Sequence, residues 1–163
     1  DEEKLQSFAE SLEALHHLKS CTRCFHIAEN DLCYVCADTK RFSDTLCVVE
    51  EPLDVIAIER TGSYQGLYFV IGGLLESGRN DNSGNLHIAE LLKRVEEDAI
   101  KEVILATNPT TEGDLTALYL KKKLEAFEIK ITRIGRGMAT GGDIEYADEL
   151  TLISSLTNRK ELV

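Results

Sequence analysis

The hydrophobic pattern changes period along the chain, and each change marks an element. Over residues 4–18, Leu5, Phe8, Leu12 and Leu15 recur at spacings of three and four with Glu, Gln, Ser and His between them, the stripe of an amphipathic helix. One helix cannot cover its own stripe. Core packing is therefore expected, against the cysteine-rich stretch that follows, the main domain or an upstream segment. His16 and His17 fall near the helix end, where cations are favoured, and are read as solvated. From residue 46 onward, short apolar runs alternate with helical periodicity. Residues 46–49 read as a buried strand ending in Glu50 and Glu51. Pro52 suits the first position of a helix over 53–59, Gly62 closes it, and residues 66–71 form the second strand. A glycine-rich polar loop over 72–84 is longer than a connector needs, and Asn85 is placed to cap a helix that turns Ile88, Leu91, Leu92 and Val95 inward.

Everything else is arranged around residues 102–127, EVILATNPTTEGDLTALYLKKKLEAF. The apolar run 103–106 belongs to a third strand over 101–106, and Asn108-Pro109-Thr110 stops it. Thr111 and Asp114 stand in the capping-box relation, predicting a helix from Glu112 to about Phe127 with Lys121, Lys122 and Lys123 on its wet face. A fourth strand over 128–133, a glycine-rich loop and a last helix over 143–156 complete the chain. Four strands separated by helices predict an α/β fold with a four-stranded, mostly parallel sheet and right-handed crossovers. In such sheets ligand chemistry gathers where a strand's carboxyl end meets the next helix, so the turn at 108–112 is the candidate site.

The 163 residues are 43% apolar and 29% charged, enough for one domain with its own core. A net charge of −11 repels phosphate backbones and argues against a simple basic-faced DNA binder. No apolar run reaches membrane-span length and the start is too acidic for a secretory signal, so a cytoplasmic protein is expected. The absence of an initiator Met suggests a fragment or processed form.

Four of the five cysteines change the picture most. Cys21, Cys24, Cys33 and Cys36 form two CxxC knuckles eight residues apart, the spacing of a closed four-thiolate Zn site that stabilises and does not catalyse. His26 is the one substitute ligand nearby. Cys47, inside an apolar strand, reads as a core thiol.

Glu50 at one strand end and NPTTEG at another resemble the Toprim domain of topoisomerases, primases and some nucleases. In that domain a Glu and a later DxD pair hold Mg²⁺, and the later motif reads DPDREG in topoisomerases. The resemblance places Glu50 on the Glu and Asn108 and Thr110 on the two Asp positions, so the metal site is expected to be degenerate and silent. The order of features from Cys21 to Arg159, including VVEEPLDVIAIERTGSYQGLYFVIGG and TRIGRGMATGGDIEYADELTL, closely resembles the RecR recombination mediator family. That resemblance implies a non-enzymatic role with RecO, and in some settings RecF, in loading RecA on single-stranded DNA at gaps. The rival is an active Mg²⁺-dependent Toprim nuclease or primase.

The expected division is an N-terminal helix over 1–20, a zinc knuckle over 21–42, a Toprim domain over 43–140 and a C-terminal Walker B-like segment with its helix over 141–163. The family carries a helix-hairpin-helix DNA-binding domain before the knuckle; here only its last helix is expected, with DNA affinity weak or lost. Family members form dimers and tetrameric rings, and a homodimer is expected through the segment containing Gly141, Gly142, Asp143, Glu145 and Asp148. An acid-rich helix start is the equal alternative for that segment. No GxxxxGK[ST] loop accompanies it, so an ATPase role is not expected. Glu50, Asp54 and Glu112 are expected to recognise basic residues of RecO or RecF. Arg79, Arg133 and Arg136 are weighed as phosphate contacts against solvated side chains.

Overall fold

The computed structural model describes residues 1–75 and 86–161. Arg79, the Asn85 cap and most of the 72–84 loop lie outside the described residues. Two compact units are present, Asp1–Thr132 and Arg133–Val163.

In the first unit, helix α1 (Glu2–Ala14) leads through a 3-10 turn, Leu15–His17, into a small antiparallel hairpin of β1 (Lys19–Ser20) and β2 (Ile27–Ala28). A short helix α2 (Tyr34–Ala37) follows. Next come β3 (Phe42–Val49), α3 (Pro52–Glu59), β4 (Gly66–Val70), α4 (Ile88–Glu97), β5 (Glu102–Leu105), α5 (Thr111–Leu124) and β6 (Lys130–Arg133), whose last residue is the first of the second unit. The sheet order is β4-β3-β5-β6, with β3 parallel to both neighbours and Val48 opposite Phe69 and Leu105. The expected four-stranded α/β sheet is therefore present.

Leu46, Val48, Val49, Phe69, Ile71 and Val103 are wholly buried, as continuous apolar runs require when helices cover both faces. Strand β4 stands at the sheet edge, yet all five of its residues are buried. The cysteine-rich loop covers that edge, and Val70 N–H donates to the Cys24 carbonyl at 2.9 Å. Pro52 occupies the first turn of α3, and Glu51 with Asp54 forms its capping box. Gly62 closes that helix at φ +64°, a left-handed conformation that glycine reaches without cost.

Helix α1 departs from expectation. It begins and ends earlier than 4–18, and none of its residues is buried; Leu5 is 68% exposed and Phe8 62%. Among the described residues no element covers its stripe. The apolar spacing specified a helix but not a partner for it.

The second unit also departs from the expected helix over 143–156. A 3-10 turn, Ile144–Tyr146, comes first, and α6 spans Glu149–Thr157. Asp148 is the physical reason for the late start: its side chain accepts from Thr151 N–H at 2.9 Å and caps α6 there.

Candidate metal centre and carboxylate site

Two tight turns bring the four cysteines together. Phe25 N–H donates to the Cys21 carbonyl and Cys21 N–H to the His26 carbonyl, closing the first knuckle. Cys33 caps α2, accepting from Cys36 N–H at 3.4 Å, and closes the second. Thr22 joins the two, since its N–H and hydroxyl both donate to the Asp31 carbonyl. Phe25 holds φ +61°, costly for a bulky residue, and is held there by stacking on His87 at 3.6 Å and by edge contact with Phe69 at 5.5 Å.

The four sulfurs all lie within 4.8 Å of one another, and Cys24 and Cys33 are 3.5 Å apart. Tetrahedral zinc with Zn–S of about 2.3 Å separates its sulfurs by about 3.8 Å, so the donor set fits Zn²⁺ and leaves no open position. Sharing of hydrogen bonds with Cys24 and Cys36 drives Cys33 far down, and the bond to Cys33 drives Cys24 far up. Cys36 is pulled down by its Cys24 bond, but the Cys33 bond, burial and the Cys33 charge together push it up to about 12, with Arg94 pulling back. Beside the ionised Cys33, Cys24 and Cys36 hold their protons until a metal supplies the opposing charge. His26 is buried at the same module, edge-on to Tyr34, and burial lowers its pKa. It does not join the cluster: the four cysteines are the convergent group of three or more His, Cys, Asp or Glu ligands among the described residues.

The second site lies at the carboxyl end of the sheet. Glu50 directly follows β3, and Asn108 lies three residues beyond β5. Parallel pairing of those strands sets the two residues face to face. Glu50, 7% exposed, accepts the Asn108 backbone N–H on one oxygen and the Asn108 side-chain amide on the other, the latter at 2.8 Å. A neutral donor thus fills both oxygens of the one acid that matches the Toprim pattern.

The rest of the turn closes on itself. Thr107 Oγ1 donates to the Gly113 carbonyl at 2.8 Å, and Thr110 Oγ1 accepts from Gly113 N–H at 3.0 Å. A Cβ on Gly113 would collide with the Asn108 carbonyl oxygen, which explains the glycine. These bonds correct the expected cap: Thr110 caps α5, not Thr111, and the helix starts at Thr111. Two adjacent threonines cannot be ranked as caps from sequence.

The remaining acidic candidates do not converge with Glu50 on a metal-sized cluster among the described residues. Asp54 is half-buried and accepts Glu51 N–H at 2.9 Å, while Glu112 is exposed in the first turn of α5. Gly141, Gly142, Asp143, Glu145 and Asp148 are all exposed in the second unit, where hydrogen bonds from Thr151 hold the Asp148 carboxyl below its usual range. Ile144, Tyr146 and Leu150 beside them are 71%, 81% and 77% exposed. Cys47 and the three lysines lie as expected, the thiol in the core and the lysines in solvent.

One residue went unpredicted. Arg94 lies on the buried face of α4, bonded to carbonyls of the knuckle and of β4. Its signal was a charge three residues after Leu91 and one before Val95, inside an apolar stripe.

A closed four-cysteine zinc centre packed on a parallel sheet, with a strand-end Glu facing an NPT turn, defines a zinc-finger Toprim protein. Family models match in that order: the four-cysteine zinc finger domain of RecR over residues 18–38, a Toprim domain over 44–135 and a RecR C-terminal model over 137–160. The recombination protein RecR of Gloeobacter violaceus is 44% identical over 160 residues, covering 98% of this chain and 81% of that protein. The chain belongs to the RecR family, and zinc is its metal.

Proposed function

We propose that this chain is a non-enzymatic recombination mediator of cytoplasmic DNA repair, acting with RecO and RecF to promote RecA loading on single-stranded DNA at gaps. The observation that carries the reading is the Glu50–Asn108 clasp. A phosphoryl-transfer Toprim site needs convergent carboxylates with oxygens free for Mg²⁺. Here the matching acid is buried and both of its oxygens are engaged by a neutral residue, so the turn serves as architecture. The relative's name, a recombination protein, supports the process.

Without metal chemistry, the carboxylates at the strand ends serve partner recognition. Glu112, in the open, leads this surface, Asp54 flanks it and Glu50 fixes the turn beneath; basic residues of RecO or RecF are the complement. With a charge of −11, DNA is engaged through assemblies and only weakly by the isolated chain. Those assemblies begin with a homodimer through residues 141–149, where Ile144 and Tyr146, with Leu150 next to the segment, supply the apolar area, and extend to tetramers in longer family members.

Calorimetric titration of Mg²⁺ and Mn²⁺ into the zinc-loaded chain and its Glu50→Gln variant tests the silent site. No Glu50-dependent binding at millimolar metal is expected; tight binding lost in the variant, with cleavage or synthesis of DNA, overturns the reading in favour of a nuclease or primase. Glu112→Lys is expected to weaken RecO binding and RecA assembly on gapped DNA at unchanged stability. Wild-type behaviour in both removes the partner surface.

A further inference from the structure

Helix α4 aims a cation at the zinc knuckle. Arg94 is 6% exposed, and its guanidinium donates from Nε to Asp98 at 3.1 Å and from Nη1 to the carbonyls of Arg23 at 2.8 Å and Tyr68 at 2.9 Å. Nη2 is buried and has no hydrogen-bond partner. A cation so far out of water requires a negative charge nearby. Asp98 meets that need only in part, because Arg23 Nη2 also grips both of its oxygens, at 2.5 and 2.6 Å. One carboxylate is thus shared between two guanidinium groups, the half-exposed Arg23 and the buried Arg94, and gives Arg94 less than a full counter-charge.

The thiolates are the matching excess. Zn²⁺ with four Cys sulfurs carries two negative charges more than positive. The Arg23 carbonyl that Arg94 holds belongs to the residue just before Cys24. We propose that Arg94 is the counter-cation of the zinc–tetrathiolate centre: from the Toprim helix it offsets part of the thiolate charge and ties the first knuckle to β4. Zinc retention is then set by a residue of the neighbouring domain as well as by the four ligands. Arg94 is a positioning residue, acting through the cysteines and not on the metal itself.

Charge and packing make opposite predictions at Asp98, and the test uses this. Zinc affinity of the full chain is measured by chelator competition in wild type, Arg94→Met, Arg94→Lys and Asp98→Asn. Co²⁺-substituted samples are read at the thiolate-to-metal charge-transfer band. Arg94→Met is expected to weaken zinc by about 10–100-fold, the range for partners behind metal ligands, and to move the cobalt band to lower energy. Arg94→Lys keeps the charge without the fork and is expected to lose less affinity and keep the band. Asp98→Asn removes the competing anion and is expected to hold zinc at least as tightly as wild type. Wild-type zinc affinity in Arg94→Met overturns the proposal. So does weakening of zinc in Asp98→Asn, which means the network is only scaffolding. That second arm decides the matter even if Arg94→Met fails to fold.

Discussion

Asn108→Asp is the sharpest perturbation of the Toprim turn, because it restores the acid of the enzyme motif and should damage this protein. The substitution removes the amide that donates to Glu50 at 2.8 Å. A lost hydrogen bond to a charged acceptor costs about 1.5–3 kcal/mol. It also sets a second carboxylate beside the first; at roughly 4 Å and an effective dielectric near 20 the repulsion has a ceiling of about 4 kcal/mol. Asn108 is exposed, so the new carboxylate can swing into water, and about 1–2 kcal/mol of repulsion is the reasonable remainder. The backbone N–H of residue 108 still serves Glu50. Asn108→Asp should thus lose about 3–4 kcal/mol and melt roughly 10 °C lower, while Asn108→Ala should lose only the hydrogen-bond share. Urea and thermal unfolding of both variants, with and without millimolar Mg²⁺, measure the difference. Mg²⁺ should return part of the loss to Asn108→Asp and none to Asn108→Ala. Equal stability of the two variants in the absence of metal would refute the clasp as an electrostatic lock.

At the next position of the motif, Thr110→Ala should cost about 1 kcal/mol by uncapping α5, whereas Thr110→Asp, also a good cap, should fold within about 0.5 kcal/mol of wild type; urea midpoints decide. Thiol labelling of the native zinc-loaded protein at neutral pH should modify none of the five cysteines. Chelation should release four, and Cys47, pushed up to about 12 by burial, should react only after unfolding. Burial also raises the Tyr64 and Tyr68 hydroxyls. In all three groups the folded state keeps a proton that the unfolded state gives up, so stability must fall as pH rises above about 9. Cys47→Ala should flatten the first part of that decline in pH-dependent urea unfolding, and an unchanged slope would dismiss the thiol as a cause.

The parts of the fold readable in the sequence are those specified by neighbours along the chain. Buried strands announced themselves as apolar runs, and the CxxC spacing fixed the ligand set because each knuckle is a local turn. The parts that were not readable depend on contacts between distant segments. The Leu5–Phe8–Leu12–Leu15 stripe carried a helical period but no information about what faces it, and among the described residues nothing does. Thr110 and Thr111 were equivalent as caps until the approach of Gly113 to Asn108 singled out the first. Arg94 escaped notice because a charge within an apolar stripe reads as an interruption, when its partners are carbonyls 71 and 26 residues away.

The two sites stand in a common electrostatic relation to the sheet. At the carboxyl end, a Toprim enzyme gathers several negative charges and depends on a divalent cation to hold them together. On the proposed reading the NPT turn removes that dependence, since Asn108, and not a metal, engages both oxygens of Glu50. Across the β4 edge the opposite holds: four thiols within 4.8 Å cannot all ionise unless a metal joins them. Metal dependence then lies at the edge of the sheet, where the four cysteines sit in the loop that covers β4 and a closed tetrathiolate site would leave no substrate position. On the proposed reading of Glu112 as a partner contact, this arrangement is an advantage, because free Mg²⁺ does not compete for Glu112 through a convergent acidic site. Partner binding through this surface should accordingly be insensitive to millimolar Mg²⁺ beyond ordinary ionic screening, and binding abolished by Mg²⁺ but not by NaCl of equal ionic strength would overturn the argument.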